Sequence, residues 1–379
     1  MIRLLTIIGA RPQIIKAAAI SRAVCEKFAD QVEEHILHTG QHYDTNMSEV
    51  FFRELGIPEP DYNLHVGSGS HGVQTARIIE GIESVLTEQH YDGVIVYGDT
   101  NSTLAAAVAA SKIHVPVFHV EAGLRSFNMG MPEEINRIVC DQLSSVLFTP
   151  TLTGLRNLEA EGFSSIKSRV RFEDGRGQKV LLSGDVMYDN SMYFSAMADM
   201  QSDIIERLGL SYRQFILATI HRPANTDNPE NLRSIFRALN DIAEQHQMDV
   251  VLPLHPRTRK MIGELRLETG GLSERIHIIE PASFFEIIRL EKNAAIVMTD
   301  SGGVQKEAFF YGTPCVILRP ETEWVEIVDA GAGIIADADY DRIMAAYEQL
   351  VNKPVQFPPL FGDGHASEKI ISEIIEYLK

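Results

Sequence analysis

The sequence predicts an α/β protein with two parallel sheets, each covered by helices. Short apolar runs without polar alternation recur along the chain, as strands buried on both faces do. Amphipathic stretches of crossover-helix length lie between them. The length, 379 residues, exceeds the size at which one core usually stops growing, which favours two domains.

In order, the predicted strands are "RLLTIIG", "EEHILHTG", "GVIVYGDT", "VPVFHVEAG" and "SSVLFTPT", then "KVLLSGDV", "QFILATIH", "DVVLPLHP", "RIHIIEP", "AAIVMTDSGG" and "PCVILRPE". Helical periodicity fits 15–28, 73–88, 229–246 and 284–292. The stretch 167–179, "KSRVRFEDGRGQK", is charged and turn-rich, and reads as an exposed hairpin or loop near a domain boundary. Two stretches share a layout: "VIVYGDTNSTLAAAVAASKIHVPVFHVEAG" and "AIVMTDSGGVQKEAFFYGTPCVILRPET" each run strand, Asp, small polar residues, helix, proline, strand. Each half therefore carries its own β-α-β unit. Ligands of open α/β sheets bind beyond the carboxyl ends of the strands, so two facing sheets would place the motifs in a cleft.

Composition excludes several classes. A formal net charge of -18 argues against general nucleic-acid or anionic-membrane binding, while leaving room for a local basic pocket. Cys25, Cys140 and Cys315 lack CxxC spacing and cannot all pair, which fits a reducing compartment and no structural zinc. The apolar start "MIRLLTIIGARP" is too short to span a membrane and has no cleavage pattern, so a first buried strand in a cytoplasmic protein is expected.

"TDSGGVQKEAFFYG" sets an acid, a hydroxyl and two glycines between a strand and a helix. Free amides at that helix start, with no Cβ in the way, would cradle a diphosphate. The same residues would also serve as a plain helix cap. Neither G-x-G-x-x-G after the first strand nor G-x-x-x-x-G-K-[ST] is present, so dinucleotide and P-loop readings lose support and no cofactor or metal is expected. Further charged residues sit at strand ends: Arg11 and Lys16 in "GARPQIIK", Asp99 in "YGDT", Glu121 in "HVEAG", Glu133 and Arg137 in "PEEINR", His221 and Arg222 in "HRPAN", His255 and Arg257 in "LHPR", and Arg319 in "ILRPE". Singly, each also fits a surface position or a satisfied polar group. Jointly, the cations supply counter-charge for a diphosphate and the carboxylates supply acid/base groups. In "PEEIN", Pro132 and the two acids equally fit a helix start.

Together "GARPQIIK", "TGQHYD", "YGDTNST", "HVEAGLRS", "PEEINR", "HRPANTDNPENL", "LPLHPRT", "TDSGGVQKEAFFYGTPCVILR" and "ETEW" resemble the non-hydrolysing UDP-N-acetylglucosamine 2-epimerases. The likeness implies two Rossmann-like domains in a glycosyltransferase-B-like arrangement. They would be 1–186, with a C-terminal helix at 367–379 packing back on it, and a UDP-binding domain at 187–366. It also implies a homodimer, a UDP-sugar substrate and no cofactor. Carried over by position, Arg11, His221, Ser301, Gly302, Gly303, Glu307 and Arg319 would bind UDP. Lys16, Asp99, Glu121, Glu133, Arg137 and His221 would surround the sugar and the breaking bond.

The implied reaction inverts C2 of a UDP-2-acetamido sugar for bacterial surface polysaccharides such as lipopolysaccharide. Breaking C1–O first acidifies the C2 proton, so UDP leaves, a 2-acetamidoglucal forms, and UDP adds back with protonation on the opposite face. Acid and base on opposite faces of C2 are needed; the roles of Asp99, Glu121 and Glu133 stay open among themselves. "TEWVE" replaces the "TERPE" common among members acting on UDP-N-acetylglucosamine, and "RSFNMGMPEE" is short. Both look like the branch acting on UDP-2,3-diacetamido-2,3-dideoxyglucuronate. Asp44 and Val73 stand where allosterically activated members carry Gln and Arg. The rival functions are a hydrolysing epimerase, a UDP-sugar glycosyltransferase and a non-catalytic nucleotide-sugar sensor.

Overall fold

The computed structural model describes residues 1–41, 57–164, 175–254, 256–264 and 271–379. His42, Tyr43 and Asp44, His255, and residues 167–174 of the expected exposed segment lie outside them, as does the side chain of Arg257. The described chain forms two compact units, Met1–Asn190 with Pro359–Lys379, and Ser191–Pro358.

The first unit holds β1 (Ile2–Ile8), β2 (Val32–His38), β3 (Tyr62–Asn63), β4 (Gly93–Tyr97), β5 (Val117–Val120), β6 (Val146–Thr149) and β7 (Lys179–Leu182). They pair in the order β3-β2-β1-β4-β5-β6-β7, every pair parallel. The second unit holds β8 (Phe215–Thr219), β9 (Asp249–Pro253), β10 (Ile276–Ile279), β11 (Ile296–Thr299), β12 (Cys315–Ile317) and β13 (Gly333–Ile335) in the parallel order β10-β9-β8-β11-β12-β13. The central strands show no alternation because both faces are covered. Leu4, Leu5, Ile7 and Ile8 of β1 and Val94, Ile95 and Val96 of β4 are all fully buried. Each such Leu or Ile contributes roughly 1.5–3 kcal/mol relative to exposure.

Both sheets reverse their winding once, between β1 and β4 and between β8 and β11. Such reversals leave a crevice at the carboxyl edge, where open α/β sheets take ligands.

Two short edge strands escaped the sequence reading. Tyr62–Asn63 and Gly333–Ile335 have two and three residues, too few for an apolar run to register. The first helix spans Arg11–Ala23 and continues as a π-turn over Val24–Phe28, so it begins before the expected residue 15. Its start is set by Pro12 in the first turn and by Gln13, whose side-chain oxygen accepts the N–H groups of Gly9 and Ala10. The C-terminal helix, Ala366–Leu378, belongs to the first unit, where Asp189 takes the backbone N–H groups of Ala366 and Ser367 at its start.

Candidate active site

Four charged side chains converge at the carboxyl ends of β1, β4 and β5. Lys16, in the helix after β1, is ion-paired with Glu121, just beyond β5. Arg137, in the helix Pro132–Leu143, places one nitrogen 2.8 Å from Asp99 Oδ2 and 3.4 Å from Glu121 Oε1. Lys16, Glu121 and Arg137 are buried, whereas the Asp99 side chain keeps 29% exposure. Two carboxylates thus share two cations, which repays desolvation that neither acid could meet alone.

The backbone at these strand ends is bent for the purpose. Gly98 has φ +61°, and a Cβ there would lie 3.3 Å from the Lys16 ammonium. Glu121 itself has φ 71°, a left-handed conformation that costs a non-glycine residue about 1–2 kcal/mol. The N–H groups of Glu121 and Ala122 both donate to the Phe148 carbonyl, and Asn136 donates to the Asp99 carbonyl, so the turns are held from outside. Partial burial pushes the Asp99 carboxyl above the usual carboxylate range; Arg137 opposes this, while Glu121 and Glu133 add to it. Glu133 is exposed in the first turn of the helix Pro132–Leu143. Its neighbour Glu134 serves the loop: it accepts the N–H groups of Ser126 and Phe127 and the Ser126 hydroxyl.

In the second unit, residues group beyond β8, β11 and β12. β8 and β11 run in register with Thr219 opposite Thr299, which brings His221 and Asp300 together. The Asp300 side chain is fully buried, and its Oδ1 lies 3.0 Å from His221 Nδ1. The same carboxylate accepts the N–H groups of His221 and Arg222 and the Asn225 amide. Burial alone would raise Asp300, but the His221 hydrogen bond and charge, with these N–H donors, hold it below the usual carboxylate range. The His221 side chain is itself half exposed.

Ser301 caps the helix Gly302–Phe310, accepting the Val304 N–H at 3.5 Å. Gly302 and Gly303 are its first two residues, and Glu307 lies farther along. The glycines differ in what surrounds them. A Cβ on Gly302 would fall 2.0 Å from Glu323 Oε1, while one on Gly303 would find only Ser301 Oγ, at 3.8 Å. Glu323 also lies 2.9 Å from Arg319, so one carboxylate touches both a cradle glycine and the cation beside it. Lys306 packs under the Trp324 ring at 4.3 Å. Arg11 stands exposed at the first position of its helix in the first unit.

The structure therefore brings Lys16, Asp99, Glu121 and Arg137 together, with Glu133 close enough to act on Asp99. It sets His221, Ser301, Gly302, Gly303 and Arg319 on neighbouring strand ends of the second unit. Sequence reading passed over Asp300, Glu323, Asn136 and Asn225. Asp300 stood in the quoted motif but read as a helix cap; an acid at one strand end and a histidine at another would have been the signal. Among the described residues no group of His, Cys, Asp or Glu is placed to hold a metal ion, and no helix is long and apolar enough to cross a membrane.

The family model for UDP-N-acetylglucosamine 2-epimerase matches residues 26–375. A UDP-2,3-diacetamido-2,3-dideoxy-D-glucuronate 2-epimerase of Pseudomonas aeruginosa is 48% identical over 377 residues, covering 99% of each chain. The solved structure of the UDP-GlcNAc 2-epimerase of Methanocaldococcus jannaschii in complex with UDP-GlcNAc and UDP is 38% identical, with a TM-score of 0.83 over 99% of this chain and 100% of that one. The Neisseria meningitidis UDP-GlcNAc 2-epimerase bound to UDP-GlcNAc gives 29% identity and a TM-score of 0.83 over 99% of this chain and 100% of that one. With the model spanning most of its length and relatives of this identity along the whole of it, the chain belongs to the UDP-N-acetylglucosamine 2-epimerase family.

Proposed function

We propose that this protein is an isomerase that reversibly inverts C2 of a UDP-2-acetamido sugar without hydrolysis, by eliminating UDP and adding it back. The observation that carries the reading is the pairing of Asp99 and Glu121 on adjacent strand ends with Lys16 and Arg137. A proton must leave one face of C2 and another arrive on the opposite face, so two acid/base groups are required. Asp99, held above the usual carboxylate range, and Glu121, paired with Lys16 and Arg137, are two acids in different settings, which supports the reading. Glu133 is the third acid assigned to this chemistry.

The second unit, on this reading, holds the nucleotide: Gly302, Gly303 and Arg319 take the diphosphate, Ser301 and His221 its oxygens, and Glu307 the ribose; the likeness assigns Arg11 to UDP as well. A leaving UDP gains negative charge, which amides at a helix start and a guanidinium stabilise. We assign the sugar to the 2,3-diacetamido-uronate class, supported by "TEWVE", by the short "SFNMGM" segment and by the name of the 48% identical relative. We also read the protein as a cytoplasmic homodimer that supplies lipopolysaccharide or another surface polysaccharide; sedimentation of the purified protein tests the dimer.

The deciding experiment incubates the protein with UDP-2-acetamido sugars in D2O and follows the C1 and C2 protons by NMR. Epimer with deuterium at C2 is expected. Release of free 2-acetamido sugar would mark a hydrolysing enzyme, and transfer only to an added acceptor would mark a glycosyltransferase.

A further inference from the structure

Beneath the acid cluster lies a buried polar chain. His119, in the middle of β5, is fully buried, with Nδ1 2.8 Å from Asp141 Oδ1 and Nε2 2.8 Å from the Gly98 carbonyl oxygen. Asp141 Oδ2 lies 2.7 Å from Arg125 and accepts the Gly123 N–H at 3.2 Å. Arg125 then makes a two-pronged pair with Glu161 at 2.7 and 2.8 Å.

A carbonyl and a carboxylate are acceptors only, so each ring nitrogen of His119 must donate, and a ring with two N–H groups is an imidazolium. Burial works against that charge, but the neighbouring Cys140 and the hydrogen bond to Asp141 outweigh it and hold the ring up to about 10. Cys140, Asp141 and Arg137 face this region from the helix Pro132–Leu143, and Arg125 reaches Asp141 from the loop after β5.

Each end of this link adjoins one of the two acids. Gly98 is the left-handed residue directly before Asp99, and Gly123 closes the left-handed turn that carries Glu121. We propose that His119, as a permanent imidazolium, is the positioning residue that locks the Asp99 turn to the Glu121 turn. It touches neither substrate nor reacting atom. The inference rests on reading Asp99 and Glu121 as the proton-handling pair. A misplacement of about 1 Å in such a pair costs on the order of 10²-fold in rate, so the link governs turnover more than binding.

The test has two arms. In protein carrying 15N-labelled histidine, the His119 signals, assigned by their loss in His119→Asn, should show both ring nitrogens protonated and unchanged up to about pH 9; a neutral ring at pH 7 overturns the proposal. In folded His119→Asn, kcat should fall about 10²-fold, with KM and UDP affinity by calorimetry within about twofold. Unchanged kcat, or UDP affinity falling in step with kcat, overturns it. Asp141→Asn supplies a readout that a purely structural role would not move. Without its counter-charge the buried ring loses its proton as pH rises, so activity should decline from about pH 6 to pH 8. That decline should be absent from the parent and from the variant carrying both His119→Asn and Asp141→Asn; a flat profile in Asp141→Asn alone overturns the assignment. A parent protein that binds UDP but never exchanges C2 refutes the proposed reaction instead, and the NMR arm still decides the state of His119.

Discussion

Asp300 carries its carboxylate beneath the His221 imidazole, with Oδ1 3.0 Å from Nδ1, and takes the backbone N–H of the same histidine at 3.1 Å. One buried acid thus sets both the ring and the chain direction of His221. Asp300→Asn should lower stability by about 1–3 kcal/mol, the scale for leaving buried donors badly met. Because the folded state holds Asp300 below its ordinary range, this stabilisation is present above the unfolded carboxylate pKa and is lost as pH falls through the lower folded value. Urea unfolding across pH should therefore show parent and variant converging in acid; a constant gap would separate the effect from the charge.

The two cradle glycines should respond differently. Gly303→Ala has room for its methyl group and replaces a helical glycine, so stability should hold or rise by up to about 1 kcal/mol while UDP binding weakens. Full UDP affinity in that variant would move the diphosphate away from this backbone.

Arg319→Ala should weaken UDP by roughly 1.5–3 kcal/mol, the scale of a charge-assisted hydrogen bond. Calorimetry with UDP alone measures it. Unchanged affinity would leave Arg319 as no more than the partner of Glu323.

Amide variants of the acids should interrupt the reaction halfway. Asp99→Asn, Glu121→Gln or Glu133→Gln should slow one half of the cycle by about 10² to 10⁴, and UDP with 2-acetamidoglucal should accumulate relative to epimer. Epimerisation that retains the original C2 hydrogen, with no glycal in any variant, would rule out elimination. Activity should also survive exhaustive chelation; loss with EDTA, restored by a divalent ion, would contradict the metal-free reading.

Substrate choice is the remaining test. In a competition assay kcat/KM should favour the 2,3-diacetamido-uronate over UDP-N-acetylglucosamine by about tenfold or more, equivalent to about 1.4 kcal/mol. Equal or reversed preference would return the chain to the main branch.

By itself the sequence determined the longer strands and most of the charged residues at their ends. Runs such as "LLTII" and "VIVY" lack alternation because both faces of each strand are covered, and that signal is local. The family likeness proposed roles for Asp99, Glu121 and Arg319 because its motifs keep their spacing. Strand order was decided only in the tertiary structure: nothing near "RLLTIIG" says that β4 lies beside it, yet that neighbour creates the reversal where Lys16 meets Glu121 and Arg137 meets Asp99. Asp300 and His221 are separated by 79 residues and meet because β8 and β11 pair in register. The two ring nitrogens of His119 meet oxygens 21 and 22 residues away along the chain. A local pattern records whether a residue is covered; which atoms cover it is set by long-range pairing, and that pairing fixes protonation and direction at the site.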